Sequence, residues 1–187
     1  MRIISGDARG RTLFAPPGTD TRPTSDKLRG SIFNILGARV EEARVLDLFG
    51  GTGALALEAL SRGAAYAVIA DVSRQAIQAI ERNAGNVLGE ACDARARILR
   101  ADYRAVVEAA EGSFDLVFLD PPYRMTDAYG DALKRLLAAG KLAPECVIVM
   151  ERAKAAAIAL PDGIESYDVR QYGDTAVEFA RRTGMDR

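Results

Sequence analysis

Beyond Ala43 the apolar and polar positions fall into a regular beat, in which a short, mostly apolar run is followed by a stretch whose apolar residues recur three and four apart. Residues 44–49, 65–70, 96–101, 114–119 and 146–150 read as strands, and 54–62, 73 to about 83, 103–110 and roughly 128–139 read as helices. Strict strand and helix alternation predicts a parallel sheet with helices packed on its faces. The beat stops near the C-terminal end, where residues 166–172 and 175–180 flank Gly173-Asp174, a hairpin signal. At the other end residues 2–5 and 11–14 flank a Gly6-Asp7-Ala8-Arg9-Gly10 turn and read as a second hairpin. After the Pro16-Pro17-Gly18 break, Thr24, Ser25 and Asp26 can cap a helix running to about Leu36, with Leu28, Ile32, Ile35 and Leu36 as its apolar stripe.

The chain has 187 residues, 49% of them hydrophobic, enough for one sizeable core and short for two full domains. The pattern divides it into a hairpin-and-helix extension over residues 1–37, not expected to fold alone, and one α/β domain over residues 38–187. There is no histidine, and the two cysteines, Cys92 and Cys146, lie far apart. Histidine-based catalysis and a zinc site are therefore not expected, and neither is any other metal. Without a signal-peptide core at the N-terminus or an apolar run long enough to cross a bilayer, the chain reads as a soluble, cytoplasmic protein.

Net charge is −1, but it is unevenly placed. Residues 1–30 carry Arg2, Arg9, Arg11, Arg22, Lys27 and Arg29 against Asp7, Asp20 and Asp26, a balance of +3 that leaves −4 for the rest. A basic leader on a mildly acidic body fits a phosphate-contacting segment beside a small-molecule pocket, and also fits a solvated surface segment.

The first strand leads into Asp47-Leu48-Phe49-Gly50-Gly51-Thr52-Gly53, and a helix opens at once. Glycines let backbone approach a ligand closely, and Gly51-x-Gly53-x-x-Ala56 also fits the dinucleotide fingerprint. Asp47 separates the two readings: a carboxylate is badly placed beside a pyrophosphate, whereas S-adenosylmethionine has no phosphate and carries an ammonium and a sulfonium. Asp71 ends the second strand about 20 residues past the glycines, where an acid can take both ribose hydroxyls. Asp102 follows the third strand, where a carboxylate can meet an adenine amine; both acids can also cap the next helix. With Asp120 after the fourth strand, four acids fall at or near the strand ends where open parallel sheets bind ligands.

Asp120-Pro121-Pro122-Tyr123 carries the sharpest chemical signal. An exocyclic amine on a nucleobase is a poor nucleophile because its lone pair is delocalised into the ring. A carboxylate at Asp120 and the Pro121 carbonyl can each accept one N–H, aiming the lone pair at an electrophile. The prolines stiffen the loop and remove competing donors, and Tyr123 offers a stacking face for a base. The bland alternative is a proline-rich turn that ends a buried strand.

Taken in order, these motifs resemble a class I S-adenosylmethionine-dependent methyltransferase. The stretches 22–36, 47–64 and 172–175 resemble the RsmD family of bacterial small-subunit rRNA guanine-N2 methyltransferases. The resemblance implies a Rossmann-like, seven-stranded, mostly parallel sheet with a C-terminal antiparallel hairpin, plus a small N-terminal β-hairpin and helix. It implies S-adenosylmethionine as cofactor, S-adenosylhomocysteine as product, and 16S rRNA or the assembled small subunit as partner, the enzyme acting as a monomer. Thr24, Asp47, Phe49, Gly50, Gly51, Gly53, Asp71, Asp102 and Asp120 would line the cofactor; Asp120, Pro121 and Tyr123 would act on a flipped guanine; and Arg2, Arg9, Arg11, Arg22 and Tyr123 are candidates for RNA contact. A pI of about 5.6 is low for an rRNA-binding enzyme, which allows a preassembled particle as substrate. An adenine-N6 methyltransferase is the nearest rival, since Asp at the first motif position is only a family association with guanine N2. A nicotinamide-dependent oxidoreductase or a cofactor-retaining binding module is the rival from another class, and neither explains Asp-Pro-Pro-Tyr.

Overall fold

The computed structural model describes residues 1–16 and 25–184. Arg22 and Thr24 therefore lie outside the described residues. Seven strands, β1 (Arg44–Asp47), β2 (Tyr66–Asp71), β3 (Ala96–Arg100), β4 (Phe114–Leu119), β5 (Leu142–Ala153), β6 (Ile164–Tyr172) and β7 (Thr175–Arg182), form one sheet in the order β3-β2-β1-β4-β5-β7-β6. The five strands from β3 to β5 are parallel, and β7 runs antiparallel to both β5 and β6, so the C-terminal hairpin supplies the reversed strand as the family resemblance implies.

Among the described residues, six α-helices pack on this sheet: α1 (Asp26–Leu36), α2 (Ala54–Ser61), α3 (Arg74–Leu88), α4 (Cys92–Arg95), α5 (Tyr103–Ala109) and α6 (Ala128–Ala138). Alternate strand residues feed two apolar layers. Val45, Ile69, Leu116 and Phe118 meet α1, α2, α3 and the N-terminal leader on one face. Leu46, Val68, Val117 and Leu119 meet α5 and α6 on the other. Buried on both faces, the central strands must be apolar throughout, which is why they read as continuous runs.

Several elements are longer than their sequence pattern indicates, α3 and β5 most of all. Helix α3 continues past Asn83 to Leu88 because Val87 is buried against the core, and Gly89, at φ 58°, ends it. Strand β5 begins at Leu142, four residues before its apolar run, and its register with β4 shifts between Phe114 and Leu116. Pro144 and Glu145 fall in that irregular stretch and are exposed, so they carry no strand signal.

The leader is tied tightly to the domain. One isolated bridge, Arg2 to Thr12, and backbone bonds from Ile3 N to Arg11 O and from Gly10 N to Ile3 O (both 2.9 Å) close the hairpin. Ile3, Ala8 and Leu13 are buried in the core. The Glu58 carboxylate, fully buried on α2, accepts Ile4 N (2.8 Å), Ser5 N (3.0 Å), Arg29 Nε (3.4 Å) and Arg62 Nε (2.7 Å). Arg29 is thus a buried structural cation paired with Glu58 and Asp26, so it leaves the set of basic leader residues that could meet phosphate. No helix among the described residues is long and apolar enough to cross a membrane.

Candidate functional site

The sheet order turns at β1: β2 and β3 extend to one side, β4 and β5 to the other. A crevice opens beyond the carboxyl ends at such a switch point. Asp47 is the last residue of β1 and Asp120 follows β4 directly, so both stand at the crevice.

The glycine loop is held between β1 and β2. Gly50 N donates to Ala70 O and Gly53 N to Gly50 O, both at 2.7 Å. Gly53, at φ 78°, turns the chain into α2, a conformation other residues adopt at a cost. A Cβ at Gly50 would stand 2.8 Å from Ile69 Cγ2 and 3.0 Å from Ile80 Cδ1, so the loop can lie against β2 and α3 only without a side chain there. Asp71 fixes the loop from the side: its carboxylate accepts Gly51 N (3.0 Å) and Ser73 N (2.8 Å). Asp102 is the N-cap of α5 and accepts Arg104 N at 2.9 Å. The capping role open to both acids in the sequence is realised by Asp102 alone, since Ser73 caps α3 and Asp71 instead holds the loop, and each carboxylate retains lone pairs for a ligand. Phe49 packs its ring on Tyr103, with centroids 5.5 Å apart.

Asp47 is 2% exposed and accepts Phe49 N at 3.3 Å. Burial pushes its carboxyl up to about 7, the Phe49 amide acts in the opposite direction, and Asp71 adds to the rise. Asp120 is also held well above the ordinary carboxylate range, first by burial, then by Glu151, then by Asp47. The β4 and β5 register sets Leu119 beside Met150, so Asp120, just past β4, comes next to Glu151 within β5. Three acids thus converge from β1, β4 and β5, an arrangement that a cation would relieve.

Pro121 is buried, whereas Tyr123 is 63% exposed on the loop that follows. Met125 N bonds to Pro122 O (2.8 Å) and Ala128 N to Met125 O (3.0 Å), leading the loop into α6. Tyr129 on α6 donates to the Glu151 carbonyl, and burial raises its hydroxyl pKa. Arg2, Arg9 and Arg11 are exposed on the leader.

Sequence reasoning missed Glu151, Tyr129 and Asn83. Glu151 had a signal: like Asp71 and Asp120, it is the first acid after an apolar strand run. Asn83, which is 1% exposed on α3, exchanges hydrogen bonds with Phe14 of the leader and donates to Thr52 O of the glycine loop (2.9 Å), a link that no local pattern reveals. A cavity of about 190 Å³ lined by Arg44, Tyr66, Val68, Arg97 and Glu111 lies at the amino ends of β1 and β2, away from this chemistry. Arg44 is held there by the Ser113 and Glu111 carbonyls (3.1 and 2.9 Å), which makes it structural.

A family model described as "Conserved hypothetical protein 95" matches residues 1–181. "Ribosomal RNA small subunit methyltransferase D" of Escherichia coli is 34% identical over 151 residues, covering 81% of this chain and 74% of that protein. "Putative rRNA methyltransferase YlbH" of Bacillus subtilis is 42% identical over 127 residues, covering 66% of this chain and 67% of that one. Among solved structures, "Putative methyltransferase yhhF from Escherichia coli" superposes with a TM-score of 0.83 at 32% identity, covering 97% of each chain.

Proposed function

The chain belongs to the RsmD family of S-adenosylmethionine-dependent methyltransferases, and from that premise we propose that it methylates the exocyclic N2 amine of a guanine in small-subunit rRNA. The observation that carries this reading is the placement of Asp120 directly after β4, against Asp47 and Glu151, with Tyr123 exposed on the same loop.

S-adenosylmethionine supplies a methyl group already activated by a positive sulfur. The residues fit such a ligand: the rim is acidic, the glycine loop admits close backbone approach, and the carboxyl of Asp47 is buried where a cation would favour its ionised form. Asp71 and Asp102 would meet the ribose and the adenine amine, and Phe49 packs on Tyr103, the residue after Asp102. Asp47, Gly50, Gly51 and Gly53 border the crevice.

Asp120 and the Pro121 carbonyl would accept the two N–H groups of a flipped guanine stacked on Tyr123. Holding the amine in this way aligns its lone pair, and much of the acceleration comes from that alignment. As the new N–C bond forms and the S–C bond breaks, the amine gives up one proton, which ionised Asp120 would take. A ligand cation beside Asp120 favours the ionised form that this role needs. Among family members, Asp at the first position of this motif is common for guanine N2.

The test is incubation with labelled S-adenosylmethionine and unmethylated small ribosomal subunits, followed by nucleoside identification. N2-methylguanosine is expected. N6-methyladenosine would overturn the target, and label on neither particles nor naked rRNA would overturn the RNA substrate.

A further inference from the structure

Phe14 is a large apolar side chain left 38% exposed, and its position is fixed rather than frayed. Its backbone N–H donates to Asn83 Oδ1 at 2.7 Å, and its carbonyl accepts from Asn83 Nδ2 at 2.9 Å. The same buried amide donates to Thr52 O of the glycine loop, so the Phe14 backbone is registered to the cofactor loop. The Arg82 guanidinium, one residue before Asn83, lies 4.3 Å from the centre of the Phe14 ring. One turn further along α3, Asn86 Nδ2 donates to Thr12 O at 2.9 Å, and the Asn86 carbonyl accepts from Arg11. Phe14, Arg82 and Arg11 are therefore aligned along one helix, Phe14 by the Asn83 side chain and Arg11 by the Asn86 backbone carbonyl.

We propose that Phe14 and Arg82 form a second stacking platform, for an unpaired base of the RNA substrate other than the one on Tyr123, with Arg11 meeting its backbone phosphate. This rests on the rRNA reading above and extends it. A fixed aromatic face with a guanidinium over it and a second arginine one turn away suits a nucleotide, which presents a π-face and a negative charge a few ångströms apart. An acidic peptide would use the charges but not the flat ring. The Asn83 clip removes the ordering cost that a loose loop would pay on binding.

The experiment uses the full chain, an unmethylated small-subunit rRNA transcript and unmethylated small ribosomal subunits, with Phe14→Leu, Phe14→Ala, Phe14→Trp, Arg82→Gln and Arg11→Gln variants. Loss of one stacked base corresponds to about 5- to 150-fold in Kd. Phe14→Leu and Phe14→Ala should lose RNA affinity within that range and raise KM for RNA with kcat unchanged. Their affinity for S-adenosylhomocysteine should not change, and Phe14→Trp should restore RNA binding. Arg82→Gln should weaken RNA binding, and Arg11→Gln, which removes the phosphate contact, should lower the slope of log Kd against log salt by about 0.7. Wild-type RNA affinity in Phe14→Leu would overturn the platform while leaving the rRNA reading intact. Parallel loss of RNA and S-adenosylhomocysteine binding in every variant, Phe14→Trp included, would reduce Phe14 to a structural role. If the wild-type chain binds neither the transcript nor unmethylated small ribosomal subunits, the rRNA reading falls and the platform with it.

Discussion

A carboxyl with a folded value of about 7 against an ordinary 3.8 keeps its proton in the folded protein while the unfolded chain releases it. The contribution of Asp47 to stability is therefore fully present below 3.8 and is lost as pH rises through about 7. Asp47→Asn, which cannot ionise, should raise the melting temperature of the ligand-free protein over wild type near pH 8 and much less near pH 5. An equal difference at both pH values would sink this account. The variant should also bind S-adenosylmethionine more weakly. Asp120→Ala should abolish methyl transfer and leave S-adenosylhomocysteine affinity nearly intact, as calorimetry would show; an active variant would remove Asp120 from catalysis. At this scale the strand-end acids were legible because each follows an apolar run. Their mutual repulsion was not, since it depends on which strands become neighbours.

The segment most changed by tertiary context is the leader. Its hairpin signal was visible, but a single bridge supports it as a ladder, and most of its security comes from α2. Removing Glu58 leaves two amides and two guanidinium groups without their shared acceptor, Arg29 being wholly buried. Glu58→Ala should cost about 3–5 kcal/mol in urea unfolding. A loss below about 1 kcal/mol would mean that water or other groups replace the carboxylate. Glu58 sat inside a stretch that reads as one apolar helix face, and its role appears only when Ile4, Ser5 and Arg29 arrive from elsewhere in the sequence. For β5 the missing signal was different: Pro144 and Glu145 interrupt the pattern where the register with β4 slips.

Across the whole molecule, charge and topology work at separate edges. The acids gather at the switch point between β1 and β4, and the exposed leader arginines lie on the α2 and α3 side. If those arginines meet phosphate, RNA affinity should fall with salt at a log–log slope of about 0.7 per contact. Filter binding at a series of salt concentrations measures this, and a flat response would exclude the leader from the RNA interface. The parallel part of the sheet was readable from periodicity, because parallel strands buried on both faces leave unmistakable apolar runs, whereas the C-terminal hairpin was marked by Gly173-Asp174 and its reversed place in the sheet came from the family resemblance.

The fastening of the leader also sets an order of events during synthesis. Ile4 and Ser5 find their acceptor 54 and 53 residues later in the chain, and Phe14 finds its clip 69 residues later. Loops of that length must close before those contacts form. The leader is thus secured only well after its own synthesis, with Ile3 and Leu13 uncovered until α2 and α3 have emerged. The arginines of the leader reach their final places only after the glycine loop exists, so a chain stalled midway would present its basic arm without the platform that orients it.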